Sequence, residues 1–174
     1  MTSAKTSRAS RETGRYVAAL ALLASAGLGA GCVNTDAAVF VDAGIDAPVV
    51  NVNQGALGTS VTGSFTVTLH LGARASGPSE VTFGAFAIEK ADRSAVVVDS
   101  LPVTTSTSSP VGVDPDSDVE VDFAIDTGAD PLPQAVVDGL CGGQLVVSGV
   151  LEDSLATKST PIVSDAFLAL GCAP

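Results

Sequence analysis

SFTVTLHL, residues 64–71, decides the fold. Phe65, Val67, Leu69 and Leu71 alternate there with Thr66, Thr68 and His70. In a strand successive side chains point to opposite faces, so the four apolar residues line one side and the polar ones the other. The run DVEVDFAI, residues 118–125, repeats the pattern: Val119, Val121, Phe123 and Ile125 inward, Asp118, Glu120 and Asp122 outward. Such alternation belongs to antiparallel sheets with one dry and one wet face.

Outward from these two runs, further β-prone stretches are divided by Gly, Pro, Asp and Ser: residues 49–53, 80–89, 95–100, 144–151 and 162–170. Within 80–89 the apolar phase changes from Val81 and Phe83 to Phe86 and Ile88, which predicts a β-bulge at Gly84 or Ala85. Pro102 and Pro110 bracket the polar VTTSTSS, an edge strand or a loop, because proline cannot donate into a ladder. DPLPQAVVDGL, residues 130–140, predicts a short helix over 131–140, with Pro131 or Pro133 near its start and Gly139 at its end. About seven strands and one helix give an all-β fold, an antiparallel immunoglobulin-like β-sandwich. A closed eight-stranded barrel fits less well, since the strands are few and one connection holds a helix.

The order of FTVTLHL, VEVDFAI, a short helix and GGQLVVSGV (residues 142–150) resembles the water-stress-associated sandwich domains of the late-embryogenesis-abundant type. That resemblance implies the fold and carries no functional residue. The chain has no tryptophan, unlike true immunoglobulin domains, whose inter-sheet cysteine pair packs on one.

The 174 residues suit one domain, and the charge is unevenly spread. Residues 1–31 carry Lys5, Arg8, Arg11 and Arg15 against Glu12, whereas from Cys32 onward 4 basic residues face 18 acidic ones, a net charge of −14. A surface of that sign repels nucleic acid and anionic lipid. The uncharged VAALALLASAGLGA, residues 17–30, is too short to span a bilayer but fits the apolar part of a secretory signal with basic residues before it.

Gly29, Ala30, Gly31 and Cys32 resemble the end of a bacterial lipoprotein signal, two small residues followed by the cysteine that takes the lipid. The pattern departs at Gly29, where the family has a large aliphatic residue; here Leu28 stands one place early. The resemblance implies cleavage before Cys32, a diacylglycerol on its sulfur and attachment to a membrane leaflet through several acyl chains. Val33 follows, without the aspartate that favours inner-membrane retention, so the outer membrane of the bacterial cell envelope is the expected site. The implied organisation is a lipoprotein signal peptide over 1–31, a flexible acidic tether over 32–48 and a β-sandwich domain over 49–174.

Three cysteines leave one over in an exported protein. With Cys32 lipidated, Cys141 and Cys172 remain as a disulfide pair for an oxidising compartment, closing the last two strands. Free thiols or a metal site are the rivals, and no histidine lies close in sequence to complete four metal ligands.

His70 is the single histidine and lies on the polar phase of its strand, a rim residue rather than a catalytic base. No G-x-S-x-G elbow accompanies it, so no enzyme is expected. Asp114, Asp116 and Asp118 have the alternate spacing that opens a calcium loop, but Val119 and Ile125 occupy the places of its glycine and closing glutamate. The alternative is a charged turn that blocks edge pairing. No cofactor is indicated. The expected function is a non-enzymatic, membrane-tethered envelope module that binds a protein partner or serves structurally, the alternative being a calcium- or small-ligand-binding envelope lipoprotein.

Overall fold

Ten strands and one helix follow one another in the computed structural model, which describes residues 38–56 and 58–172. They are β1 (Asp42–Gly55), β2 (Gly58–Leu71), β3 (Ser79–Phe83), β4 (Ala87–Lys90), β5 (Val96–Val98), β6 (Val103–Thr104), β7 (Val111–Val113), β8 (Ser117–Asp126), α1 (Gln134–Cys141), β9 (Leu145–Asp153) and β10 (Thr160–Val163). One sheet has the order β1-β2-β8-β6. The second is centred on β9, which pairs with β4, β3 and β10, while β5 lies beyond β4 and β7 beyond β3. All of these pairings are antiparallel. The fold is therefore all-β, with two sheets and one short helix.

The alternation in the two deciding runs is what buries them. Phe65, Val67, Leu69 and Leu71 from β2 meet Val121, Phe123 and Ile125 from β8 in the core. Val81, Phe86, Ile88, Leu145, Val147 and Leu151 complete it from the second sheet. With no tryptophan, the bulk is supplied by Phe65, Phe83, Phe86 and Phe123, whose ring centroids lie 4.8–6.1 Å apart in edge-to-face, tilted and stacked pairs.

The phase change in 80–89 is a bulge. Phe83 faces Leu151 and Ala87 faces Ser148, so four steps along one strand match three along the other, and the run divides into β3 and β4 around residues 84–86. That division, and the pairing of short pieces at 103–104 and 111–113, raise the strand number to ten where about seven were expected.

Residues 42–48, expected in the tether, are instead the first half of β1. Val41 and Ile45 enter the core, while Asp42 and Asp46 stay on the wet side. Between Asp46 and Val49 the strand takes an extra residue, Ala47 turns to a positive φ of 46°, and the buried phase passes to Val50 and Val52. Gly63 lies opposite the bulge. A Cβ there would stand 2.0 Å from the Val49 carbonyl oxygen, so backbone would have to give way. Gly63→Ala is accordingly expected to destabilise the domain by about 1–3 kcal/mol, the range for forced overpacking; an unchanged urea midpoint would show that the hairpin absorbs the methyl.

The helix begins after Pro133 as expected but runs through Gly139 to Cys141. Gly139 is needed for close approach rather than termination: its missing Cβ leaves room for Val97 of β5. Eight residues are too few for a stable helix in water. Burial of Val137 and Leu140 holds it, together with the Lys90 ammonium, which donates to the Gly139 carbonyl at 2.6 Å and places positive charge at the helix C-terminal end.

The expected strand over 162–170 ends at Val163. Residues 164–170 then lace the sheets together. Ser164 and Leu170 bridge in parallel to Ile45 and Asn51 of β1, while Phe167 exchanges backbone hydrogen bonds with Leu145 of β9. The segment terminates in a disulfide between Cys172 and Cys141, Cα atoms 5.6 Å apart, which ties it to the end of α1.

Candidate functional site

The wet face of the first sheet is organised in rows across three strands. Asp42, His70 and Asp118 form one; Gly44, Thr68 and Glu120 the next; Asp46, Thr66 and Asp122 a third. The central strand thus carries donors and both flanking strands carry carboxylates, which keeps like charges from standing directly opposite. Thr66 Oγ1 donates to Asp122 Oδ1 at 2.7 Å and Thr68 Oγ1 to Asp46 Oδ2 at 2.8 Å. His70 Nδ1 and Asp118 Oδ1 are 2.7 Å apart, an ion pair whenever the imidazole is protonated. A general base also needs a nucleophile and donors converging on one reacting atom. His70 instead stands half-buried on a sheet face whose neighbouring rows hold threonines and carboxylates already bonded to each other.

Asp114 and Asp116 occupy the turn where the chain passes from β7 in one sheet to β8 in the other. Asp116 has a φ of 61° and its amide donates to the Leu71 carbonyl, while Ser117 Oγ donates to the Asp114 carbonyl at 2.6 Å. Asp118 has already turned onto the wet face toward His70. Among the described residues no group of three or more His, Cys, Asp or Glu side chains gathers as a metal ion would require.

The group with the most developed surroundings is Asp153, at the end of β9 and 5% exposed. Its Oδ2 accepts from the Val41 amide at 2.8 Å; its Oδ1 accepts from the Leu155 amide at 2.8 Å and from the Ser79 hydroxyl. Burial pushes this carboxyl up, but the Ser79, Val41 and Leu155 donors outweigh it and hold the group below the ordinary range. Beside it lies an open groove of about 470 Å³ whose walls include Glu80, Thr82, Glu152 and Lys158. The sequence holds a signal for Asp153. It falls in phase with the inward residues Leu145, Val147, Gly149 and Leu151, two places past the end of the run read as a strand.

A folded-state pKa below the unfolded value of about 3.9 stabilises the fold above that pH, and the contribution is lost as pH falls through the lower, folded value. Asp153→Asn is therefore expected to lower the urea midpoint at pH 7, with a gap to the parent protein that narrows below about pH 4. A gap of equal size at pH 7 and pH 3 would mean that the carboxylate charge contributes nothing.

At the other end of the strands, Lys90, Gly142, Gly143 and Gln144 border a smaller groove beside α1. On the outer face of the second sheet Glu89 accepts from the Ser148 hydroxyl and from Arg93 Nη1 at 2.7 Å; these contacts, Ser148 first, hold its carboxyl below the usual range. Cys141 and Cys172 are joined as expected, whereas the signal segment and Cys32 lie outside the described residues. Among the described residues no helix is long and apolar enough to cross a membrane. Comparison of the chain with protein families, curated proteins and solved structures returns no match.

Proposed function

We propose that this chain is a lipid-anchored module of the bacterial cell envelope, an immunoglobulin-like sandwich held at the outer membrane by lipid on Cys32, that binds an envelope protein or serves structurally and has no catalytic role. The observation that carries the reading is the Cys141–Cys172 disulfide. It takes up two of the three cysteines and leaves Cys32 alone, at the end of a segment resembling a lipoprotein signal. A disulfide also belongs to compartments outside the reducing cytoplasm. The early start of β1 adds to this, since only nine residues separate Cys32 from Asp42, a length suited to holding a domain beside a membrane.

The non-catalytic part of the reading is supported by the wet face, where His70 and the carboxylates bond to one another across strands. In a bacterial host fed labelled palmitate, the full chain is expected to take up label and sediment with membranes, and Cys32→Ser to lose both. Recovery of the parent chain in the soluble fraction, unlabelled, would overturn the proposal.

A further inference from the structure

Val41, just before β1, is anchored in the domain. It is 5% exposed and its amide is held by Asp153. The two residues before it are apolar and open to solvent, Val39 at 45% and Phe40 at 52% exposed. Phe40 is thus displayed on the surface directly beside a buried, hydrogen-bonded anchor. The same pole gathers the ends of β2 and β9 and the starts of β3 and β8. Asp42 lies across from His70 and Asp118 in the register, and Asp153 lies across from Val81. The loops leaving those strand ends carry Arg74 and Lys158, both exposed and two of the four cations downstream of Cys32.

We infer that this pole, with Phe40 and Val39 at its tip, rests on the phospholipid surface of the leaflet that holds the lipid. The inference builds on the lipidation of Cys32 proposed above. Phe40 is eight positions from Cys32, a reach of at most about 29 Å at full extension. β1, with 14 residues, is about 46 Å long at strand rise. A tether shorter than the strand it feeds keeps the entry pole, and not the opposite one, within reach of the bilayer. An aromatic and a β-branched residue exposed there match the composition of segments that settle about 5–10 Å into the headgroup boundary. Arg74 and Lys158 are placed to meet lipid phosphates. Asp42, Glu80, Asp114, Asp116, Asp118 and Glu152 share the pole, so apolar contact rather than net charge drives the approach, and a zwitterionic surface suits it better than an anionic one.

The chain contains no tryptophan, so Phe40→Trp installs a single fluorophore. Val96→Trp does the same at the opposite pole, where β5 pairs with Glu89 near the far end of β9 and Val96 is 58% exposed. Each full-length variant, recovered from host membranes, is reconstituted into phosphatidylcholine vesicles with or without bromine near the headgroup end of the acyl chains. The expected result is blue-shifted emission and strong quenching for Phe40→Trp, with red emission and no quenching for Val96→Trp. A membrane-bound Phe40→Trp that stays unquenched overturns the docking and leaves the lipid reading intact. Quenching of both variants overturns the assigned orientation. Failure of the chain to sediment with membranes, as for Cys32→Ser, overturns the lipidation and the docking with it.

Discussion

Phe65→Ala is expected to lower the stability of the domain by about 3–5 kcal/mol, the range for removing a buried aromatic side chain. Phe65 is 2% exposed and lies 4.8 Å from Phe86 and 5.1 Å from Phe123, centroid to centroid. It touches the ring of Phe123 on β8 and that of Phe86 in the bulge between β3 and β4, so its loss opens a cavity between the layers rather than within one of them. A cavity among rings fixed on paired strands cannot collapse without moving backbone. Domains of this size have stabilities of about 5–15 kcal/mol in all, so the loss is a large fraction of the total. Phe40→Ala provides the contrast: the same deletion at a half-exposed position should cost well under 1 kcal/mol. Equilibrium urea unfolding of both variants measures the pair. A loss below about 1 kcal/mol for Phe65→Ala would show that the aromatic group does not join the sheets.

Removal of the disulfide ranks next. Cys141 and Cys172 are 31 residues apart, and for a loop of that length the chain-entropy estimate is about 3–4 kcal/mol. The double replacement Cys141→Ala with Cys172→Ala is expected to lower the melting temperature by about 10–15 °C, given a few degrees per kcal/mol for a domain of this length. The effect has a second part. The bond holds together two elements that are weak alone, an eight-residue helix and the irregular segment 164–172. Amide exchange should therefore quicken first in α1 and at Leu170, ahead of β2 and β8. Equal melting temperatures with and without the bond would assign the clasp of these two elements to packing alone.

The two deciding strands could be read from sequence because each has one dry and one wet face, and the period of two survives over its whole length. β1 hides the same arrangement. Its wet-side Asp42 and Asp46 lend it the composition of a tether, and the bulge at 46–49, with Pro48 inside it, moves the buried phase from Ile45 to Val50. The second half, around residues 49–53, is legible as a β-prone run, whereas the first half is hidden by the change of phase. The bulge near Gly84 was legible because two phenylalanines mark the change of face. At Asp114 to Asp118 the sequence offered two readings, a calcium loop and a charged turn. Asp114 and Asp116 lie in the turn between the sheets and Asp118 already on β8, where it meets His70. Asp153 went unread because its donors are the amides of Val41 and Leu155 and the hydroxyl of Ser79, brought together by topology rather than by sequence distance.

The lacing by residues 164–170 bears on the order in which the fold can be completed. The outer edge of β1 is completed by Ser164 and Leu170, so the first strand of the domain takes its last partners from a segment far along the chain. Loop closure over that separation is slow and gains little until both ends are present. Until segment 164–172 is in place, the two sheets lack both the strap between them and the Cys141–Cys172 bond. The topology thus leaves the fold incomplete until its first strand and its last segment have met.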